Sequence, residues 1–318
     1  MHISRILMNF VYKLYIRWIE FNSLDTTKLL KISDMCNFLI ILIYKINSAN
    51  GYNHLKIMTT ANEITELMFD MQNEQQRQIL MRFFKTGKGE YGEGDRFIGL
   101  KVPQTREIVK AARLDVSLDE IEKLLCSCWH EVRLCGLLLL VEEMRAALPR
   151  RTQRKAKAKT DGQDMRQAAE RRETIARFYL RHARRANNWD LVDLSCGYIL
   201  GEWLLHPSPD DTMPSRSILD TLAASDNLWE QRIAIVSTSR LIRNNQYDDT
   251  LRIATCLLHH PHDLMHKAVG WMLREVGKRD IDTLRSFLAL HHGSMPRTAL
   301  RYAIERMDAE ERKYWMRK

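Results

Sequence analysis

From residue 64 onward, apolar side chains recur at three- and four-residue intervals, the period of one buried helical face. Leu67, Met68, Met71, Ile79, Leu80, Phe83 and Phe84 predict one helix. Ile121, Leu124 and Leu125 predict a second, with Ser117 followed by Glu120 as its N-terminal cap signal. A third runs from Val132 to Met144. Breakers are scarce, at 7 prolines and 13 glycines in 318 residues, and five of those glycines fall between Gly87 and Gly99. A β-sandwich needs a turn every ~8–12 residues, so that class is excluded. The pattern predicts long helices joined by short links.

A longer period lies over the short one. Trp129-His-Glu-Val-Arg133-Leu-Cys-Gly resembles Trp189-Asp-Leu-Val-Asp193-Leu-Ser-Cys-Gly. Trp229-Glu-Gln-Arg232, Met265-His-Lys267 and Met295-Pro-Arg297 have the same character. Each sets a large apolar residue near a helix start, an ionisable residue about one turn later, and small residues where a neighbouring helix can approach. The ionisable positions Arg133, Asp193, Arg232, Lys267 and Arg297 are spaced 60, 39, 35 and 30 apart. Removing a charged stretch near 149–169 brings the first interval near 40. Repeats of ~30–40 residues built from helix pairs predict an all-α, HEAT-like solenoid with a concave groove.

Composition changes the picture in three places. The 45% hydrophobic and 28% charged content excludes wholesale disorder. The net charge of +9 is unevenly spread, since residues 145–185 hold 14 Lys/Arg against 4 Asp/Glu. A localised excess of that kind suits a polyanion, and a solvated charged loop is the plainer alternative. Residues 1–57 differ in texture from the rest, and their apolar run Phe38–Tyr44 is far short of the ~20 residues a membrane span requires. We expect a functional domain over 58–318 carrying a basic insertion near 149–169. We read 1–57 as an atypical extension, with translation expected to begin at Met58; an accessory helical segment is the alternative. Six cysteines without CxxC spacing predict buried free thiols in a reducing compartment, with no disulfide framework and no metal site. A cytoplasmic monomer is expected.

Asp193 is the odd member of an otherwise cationic row. A carboxylate among cations is stabilised as the anion. It is either a reactive group on a basic wall or a structural partner of a nearby arginine, and spacing alone favours neither. Trp189 stands one turn before it, Trp229 precedes Arg232, and Trp271 follows Lys267 by four residues. Indole faces can receive a flat or cationic ligand, although each tryptophan alone is more often a core residue. Gly87-Lys-Gly89-Glu-Tyr-Gly92 matches GxGxxG, but a helix precedes it, so a glycine-rich turn presenting Tyr91 is expected instead of a dinucleotide loop. His259, His260 and His262 beside Pro261 are expected to be solvated.

Four segments in order, Tyr91-Gly-Glu-Gly-Asp-Arg-Phe-Ile-Gly-Leu-Lys-Val-Pro103, Asn188-Trp-Asp-Leu-Val-Asp193, Leu228-Trp-Glu-Gln-Arg232 and Lys267-Ala-Val-Gly-Trp271-Met-Leu-Arg-Glu275, are similar to the AlkD-type DNA alkylation repair family over roughly 62–315. That family is built of HEAT-like repeats, holds duplex DNA in a concave groove, and removes N3- and N7-alkylated purines without a metal or cofactor. The resemblance implies Asp193 as the catalytic carboxylate, Trp189 and Trp271 beside the lesion, and Arg232 next to Asp193, where it could hold the carboxylate charged and grip a flanking phosphate. Tyr91, Arg106, Arg133, Arg184, Arg185, Lys267 and Arg297 are the expected DNA contacts. The rival expectation is a non-catalytic HEAT-like solenoid that binds nucleic acid or a protein partner.

Overall fold

The computed structural model describes residues 58–149, 162–210 and 212–317, which fall in one compact unit, Ile57–Lys318. The extension 1–57, Cys36 and the core of the basic insertion, 150–161, lie outside the described residues. Among the described residues every named element is a helix, and the single β-bridge pairs Arg96 with Trp129.

The elements follow from local chemistry. α1 (Ala61–Asp70) opens on a Thr60–Glu63 capping box, and α2 (Glu74–Phe83) opens on Asn73, whose side chain accepts from the Gln76 N–H. That cap divides the apolar run Leu67–Phe84, read above as one helix, into two. It also turns α2 so that none of its residues is buried, leaving Ile79 and Phe83 exposed. Five further helices complete the first half: α3 (Val102–Ala112), α4 (Leu118–Leu125), α5 (His130–Ala146), α6 (Gly162–Arg181) and the short α7 (Trp189–Asp193). A π-turn, Gly197–Gly201, follows α7. The second half comprises α8 (Ser217–Ala223), α9 (Leu228–Ser237), α10 (Ser239–Arg243), α11 (Asp248–Leu257), α12 (Asp263–Gly277), α13 (Ile281–His291), α14 (Arg297–Ala303) and α15 (Ala309–Trp315). Ser117 caps α4 as expected, but the Glu120 carboxylate reaches away from its own helix and accepts from the Ala61 N–H at 2.8 Å, capping α1.

Two rows of helices result. α4 packs on α5, α8 on α9, and α11 and α13 on α12. An inner row runs α5, π-turn, α9, α12, α14, each in contact with the next. This is the helical-repeat architecture that the long period predicts. All five motif copies open a member of this row or, at Trp189, the helix leading into it. The small residues sit where predicted. A Cβ on Gly270 would lie 2.4 Å from the Ala299 carbonyl oxygen, so α12 and α14 approach closely only because glycine stands there. Of the five described cysteines, Cys135 and Cys196 are buried as expected, whereas Cys126, Cys128 and Cys256 are exposed at or near helix ends. No helix among the described residues is long and apolar enough to cross a membrane.

The first turn of α5 holds the glycine-rich segment in place. Glu131, 2% exposed, accepts from the N–H groups of Ile98, Gly99 and Leu100 at 3.0, 2.8 and 3.1 Å. Gly99 has φ +99°, and a Cβ there would lie 2.0 Å from the Asn73 carbonyl oxygen. The His130 N–H donates to the Arg96 carbonyl at 2.7 Å. Beneath this lies a buried cluster. His130 Nδ1 is 2.8 Å from Asp95 Oδ2, its Nε2 is 2.9 Å from Asp190 Oδ2, and Arg133 pairs with Asp95. A neutral imidazole has one N–H and cannot donate to two carboxylates, so this geometry requires the imidazolium. Burial opposes that charge, but the negative charges of Asp190 and Asp95 outweigh it and raise the pKa from 6.5 to about 9. Burial likewise pushes Asp95 upward, and its contacts with His130 and Arg133 overcome that to hold it below its usual value.

Two outcomes follow for stability. Glu131→Ala leaves three backbone N–H groups without their acceptor and should cost about 3 kcal/mol in urea unfolding; a loss under about 1 kcal/mol contradicts the assignment. His130 has a raised folded-state pKa, so its contribution is complete below about pH 6.5 and disappears as pH rises through about 9, on the order of 3 kcal/mol in all. Wild type should therefore lose its stability advantage over His130→Gln across that window. A pH-independent difference would refute the charged state.

Candidate DNA-facing site

Asp193 ends α7, the five-residue helix that Asn188 begins by accepting from the Trp189 N–H at 2.9 Å. Its carboxylate is not bare. Arg232, in the second turn of α9, donates from Nε to Oδ1 at 2.9 Å and from Nη2 to Oδ2 at 2.8 Å, a two-pronged pairing. The remaining prong, Nη1, donates to the Leu264 carbonyl in the first turn of α12 at 2.7 Å. One guanidinium thus joins three successive inner elements. The Asp193 side chain keeps 16% of its surface, whereas that of Arg232 keeps 6%. Burial raises the Asp193 pKa above the usual carboxylate value, Arg232 pulls it down, and Asp190 on the same helix pushes it up. Cationic neighbours favour the anion as expected, but desolvation is the largest influence on this group and opposes them.

Aromatic side chains flank the carboxylate. Trp189 is half-buried, stacked on Phe84 at 5.3 Å and meeting exposed Phe83 edge-on at 5.8 Å. Tyr91 comes from the glycine-rich turn, as the sequence predicts. Its ring meets both Trp229 and His262 at 6.1 Å. Burial is the main cause of its raised pKa, which the Trp189 indole and the Lys267 charge oppose. Trp229 itself is a core residue, 6% exposed. Trp271 is half-buried on α12, one turn beyond Lys267 and on the same face. Among the described residues it makes no ring contact with Trp189.

The expected phosphate contacts divide into groups. Arg106, Arg185 and Arg297 are exposed, and Arg297 also donates to the Met316 carbonyl at 2.7 Å. Lys267 is half-buried and paired with Asp263 at 2.7 Å, a bond that raises its pKa. Arg184 is exposed but engages Asp226 at 3.0 Å and Glu230 at 3.1 Å. Arg133 must be withdrawn from the list of DNA contacts. It is 4% exposed and spends its guanidinium on Asp95 and the Ser127 carbonyl, because the buried Asp95 requires a cation. Arg232 is likewise committed to Asp193 and Leu264, so a grip on phosphate is not its role here. The equivalent repeat positions therefore do not form a continuous cationic ladder. Some of the charge in the described part of 145–185 is also taken up within the protein: half-buried Arg171 and exposed Arg177 pair with Glu143 and Glu173, and buried Arg172 donates to the carbonyls of Ala147 and Pro207.

Sequence reasoning passed over the residues behind the site. Asp95, His130 and Asp190 all lie inside the quoted segments, yet nothing in their spacing joins positions 35 and 60 apart. Phe84 was read only as core, yet it stacks between Trp189 and His130. The histidines near Pro261 are not simply solvated. His262 caps α12 by accepting from the Leu264 N–H at 3.1 Å, and His260 accepts from the His262 N–H at 3.0 Å. No group of His, Cys, Asp and Glu among the described residues is arranged to hold a metal ion.

A solved structure described as a predicted DNA alkylation repair enzyme from Enterococcus faecalis superposes with a TM-score of 0.50 at 16% identity, covering 75% of this chain and 97% of that one. At that identity the likeness establishes the fold. No curated protein sequence matches the chain. The family model for DNA alkylation repair enzymes matches residues 64–307, which include Asp193, Arg232, all three site tryptophans and the glycine-rich turn. With most of its length inside that model, the chain belongs to the DNA alkylation repair enzyme family.

Proposed function

We propose that this protein is a monofunctional DNA glycosylase acting in base excision repair. It hydrolyses the N-glycosidic bond of N3- and N7-alkylated purines in duplex DNA held along a concave face of the repeat. The observation that carries this reading is Asp193. It is an ion-paired carboxylate fixed by a two-pronged guanidinium, partly open to solvent, with an indole one turn away.

The chemistry suits one carboxylate. Alkylation at N3 or N7 makes the purine a cation, so the leaving base needs no proton. Cleavage develops oxocarbenium character at the sugar, as in glycoside hydrolysis, where a second carboxylic acid supplies the proton that is not needed here. A preorganised anion beside the sugar stabilises that charge and orients the attacking water. Arg232 holds the two carboxylate oxygens, so little reorganisation is required as charge develops. Trp189 and Trp271 offer faces to the cationic base, each worth roughly 0.5–2 kcal/mol. A Schiff-base route through Lys267 fits poorly, because a nucleophilic amine needs a lowered pKa and Asp263 raises this one. Arg106, Arg185 and Arg297 are the exposed cations for phosphate contact, joined by half-buried Lys267 and by Tyr91. No metal or cofactor enters this scheme, and the working unit is a cytoplasmic monomer.

The non-catalytic alternative has one observation in its favour, since Arg232 already satisfies both oxygens of Asp193, as in a purely structural pair. Release of 7-methylguanine from methylated duplex DNA separates the two readings. Asp193→Asn should slow release at least about a hundredfold with DNA affinity retained, and wild-type release above the spontaneous rate should decline on acidification at a pH above the usual carboxylate range, because burial has raised the Asp193 pKa. Equal release by the variant and wild type would remove Asp193 from the mechanism.

The exposed cations allow a separate test by binding. Arg185→Glu and Arg297→Glu should each weaken affinity for duplex DNA and reduce the slope of log K against log salt by about one. Arg133→Met should alter stability and leave that slope unchanged. Unchanged slopes for the first two would exclude their surface from the DNA path.

A further inference from the structure

We infer that His130 is a positioning residue for Asp193: clamped between Asp95 and Asp190, it pins the five-residue helix α7 and neutralises the carboxylate that shares this helix with Asp193. As a statement about catalysis this rests on the glycosylase reading; as a statement about the charge state of Asp193 it does not.

The argument begins with α7. A helix of five residues has no stability of its own, since nucleation alone outweighs the few hydrogen bonds it makes. Its side chains must therefore be held from outside, and three holds are visible. Arg232 takes Asp193 from α9, Phe84 stacks on Trp189 from the end of α2, and His130 takes Asp190 from α5 at 2.9 Å. The holds are linked, because Phe84 also packs on His130 at 4.9 Å and Phe97 covers the other part of that ring at 4.4 Å. His130 thus anchors both the indole and the carboxylate end of α7 without touching either.

Charge adds a second link. Asp190 and Asp193 are three residues apart, one turn of the same helix, so their carboxylates repel. Asp190 is 4% exposed, and its Oδ1 has no hydrogen-bond partner, so the Oδ2 contact with His130 is its compensation. The cluster balances only with the imidazolium present, as Asp95 and Asp190 against Arg133 and His130. Around Asp193 the facing ionisable groups are Arg232, Asp190, Tyr179 and Cys196. Burial raises the pKa of the last two, Cys196 to about 12, so both are neutral at working pH. Arg232 and Asp190 are then the charged neighbours of Asp193, and His130 decides how strongly Asp190 is felt. Removing the imidazolium should leave Asp193 harder to ionise.

The test reads Asp193 directly. In protein labelled with 13C at aspartate, the Cγ resonance absent from Asp193→Asn identifies the group, and its titration is followed in wild type, His130→Gln and Asp190→Asn. The Asp193 midpoint should rise by about half a unit or more in His130→Gln and fall by a similar amount in Asp190→Asn. If release of 7-methylguanine is observed, the acid limb of its kcat profile should move with the resonance, while a merely structural loss lowers the rate without moving that limb. One midpoint shared by all three proteins overturns the inference. Should His130→Gln fail to fold, Asp190→Asn decides alone, a fall in midpoint supporting the coupling and an unchanged midpoint refuting it. Wild type that releases no base while the midpoints still separate would sink the glycosylase reading and leave the coupling in place.

Discussion

The buried ion cluster at the start of α5 is the constraint from which the site's geometry descends. Four ionisable groups, Asp95, His130, Arg133 and Asp190, are almost wholly removed from water. Each would be costly alone, and breaking such a set leaves an uncompensated charge worth several kcal/mol. The cluster therefore holds as a unit or not at all. Its members come from three separate parts of the chain, the glycine-rich segment, α5 and α7. Satisfying it brings Tyr91, Trp189 and Asp193 to neighbouring places, although none of these three belongs to it.

One sequence pattern serves two purposes in successive repeats. In four of the five copies the ionisable residue that follows the large apolar side chain stands near the start of an inner-row helix, and Asp193 ends the short helix that leads into the row, but their surroundings differ. Arg133 and Arg232 are buried and each meets a carboxylate, Asp95 or Asp193. Further along the row, Lys267 is half-buried and pairs only with Asp263 of its own helix, and Arg297 is exposed. Helix-to-helix contact is a short-range matter, so the repeat fixes where a side chain begins. What it meets depends on neighbours that arrive from outside the repeat. A ladder of equivalent positions is a statement about backbone geometry, and it becomes a statement about charge only where the neighbouring elements supply no counter-ion.

That distinction explains what was legible in the sequence. Helical periodicity located α4 and α5, and the longer period located the row α5, α9, α12 and α14, because both signals are carried by apolar burial within or between adjacent helices. The break at Asn73 was missed since an Asn cap is one residue long and the apolar spacing runs across it undisturbed. Asp193, Trp189 and Tyr91 are proposed from repeat position and family resemblance, and the structure brings these three and Arg232 into one neighbourhood. Arg133 was misread because burial of a cation depends on Asp95, 38 positions away in a turn. The exposed thiols Cys126, Cys128 and Cys256 were misread for a related reason: a small residue at a helix end is buried or not according to what packs over it.

The electrostatics of Asp193 also bear on which bases the proposed site accepts. Desolvation already pushes its pKa upward, so a further anion brought near, such as a DNA phosphate, makes the carboxylate more expensive to keep charged. A cation brought near does the opposite. An N3- or N7-alkylated purine carries its positive charge into the site, relieving the penalty on Asp193 as it arrives, whereas an unmodified purine brings no such relief. On the proposed function, discrimination arises from charge balance in a poorly hydrated place more than from shape, and the strength of the preference depends on how dry the carboxylate is. Arg232 sets a limit to this effect: its two-pronged grip favours the charged form of Asp193 against burial, so a lesion adds to an existing pairing and does not create it. Under the proposed function, the guanidinium poises the carboxylate and the partial exclusion of water makes it selective, so loosening either the Arg232 grip or the dryness of the carboxylate costs one of the two properties.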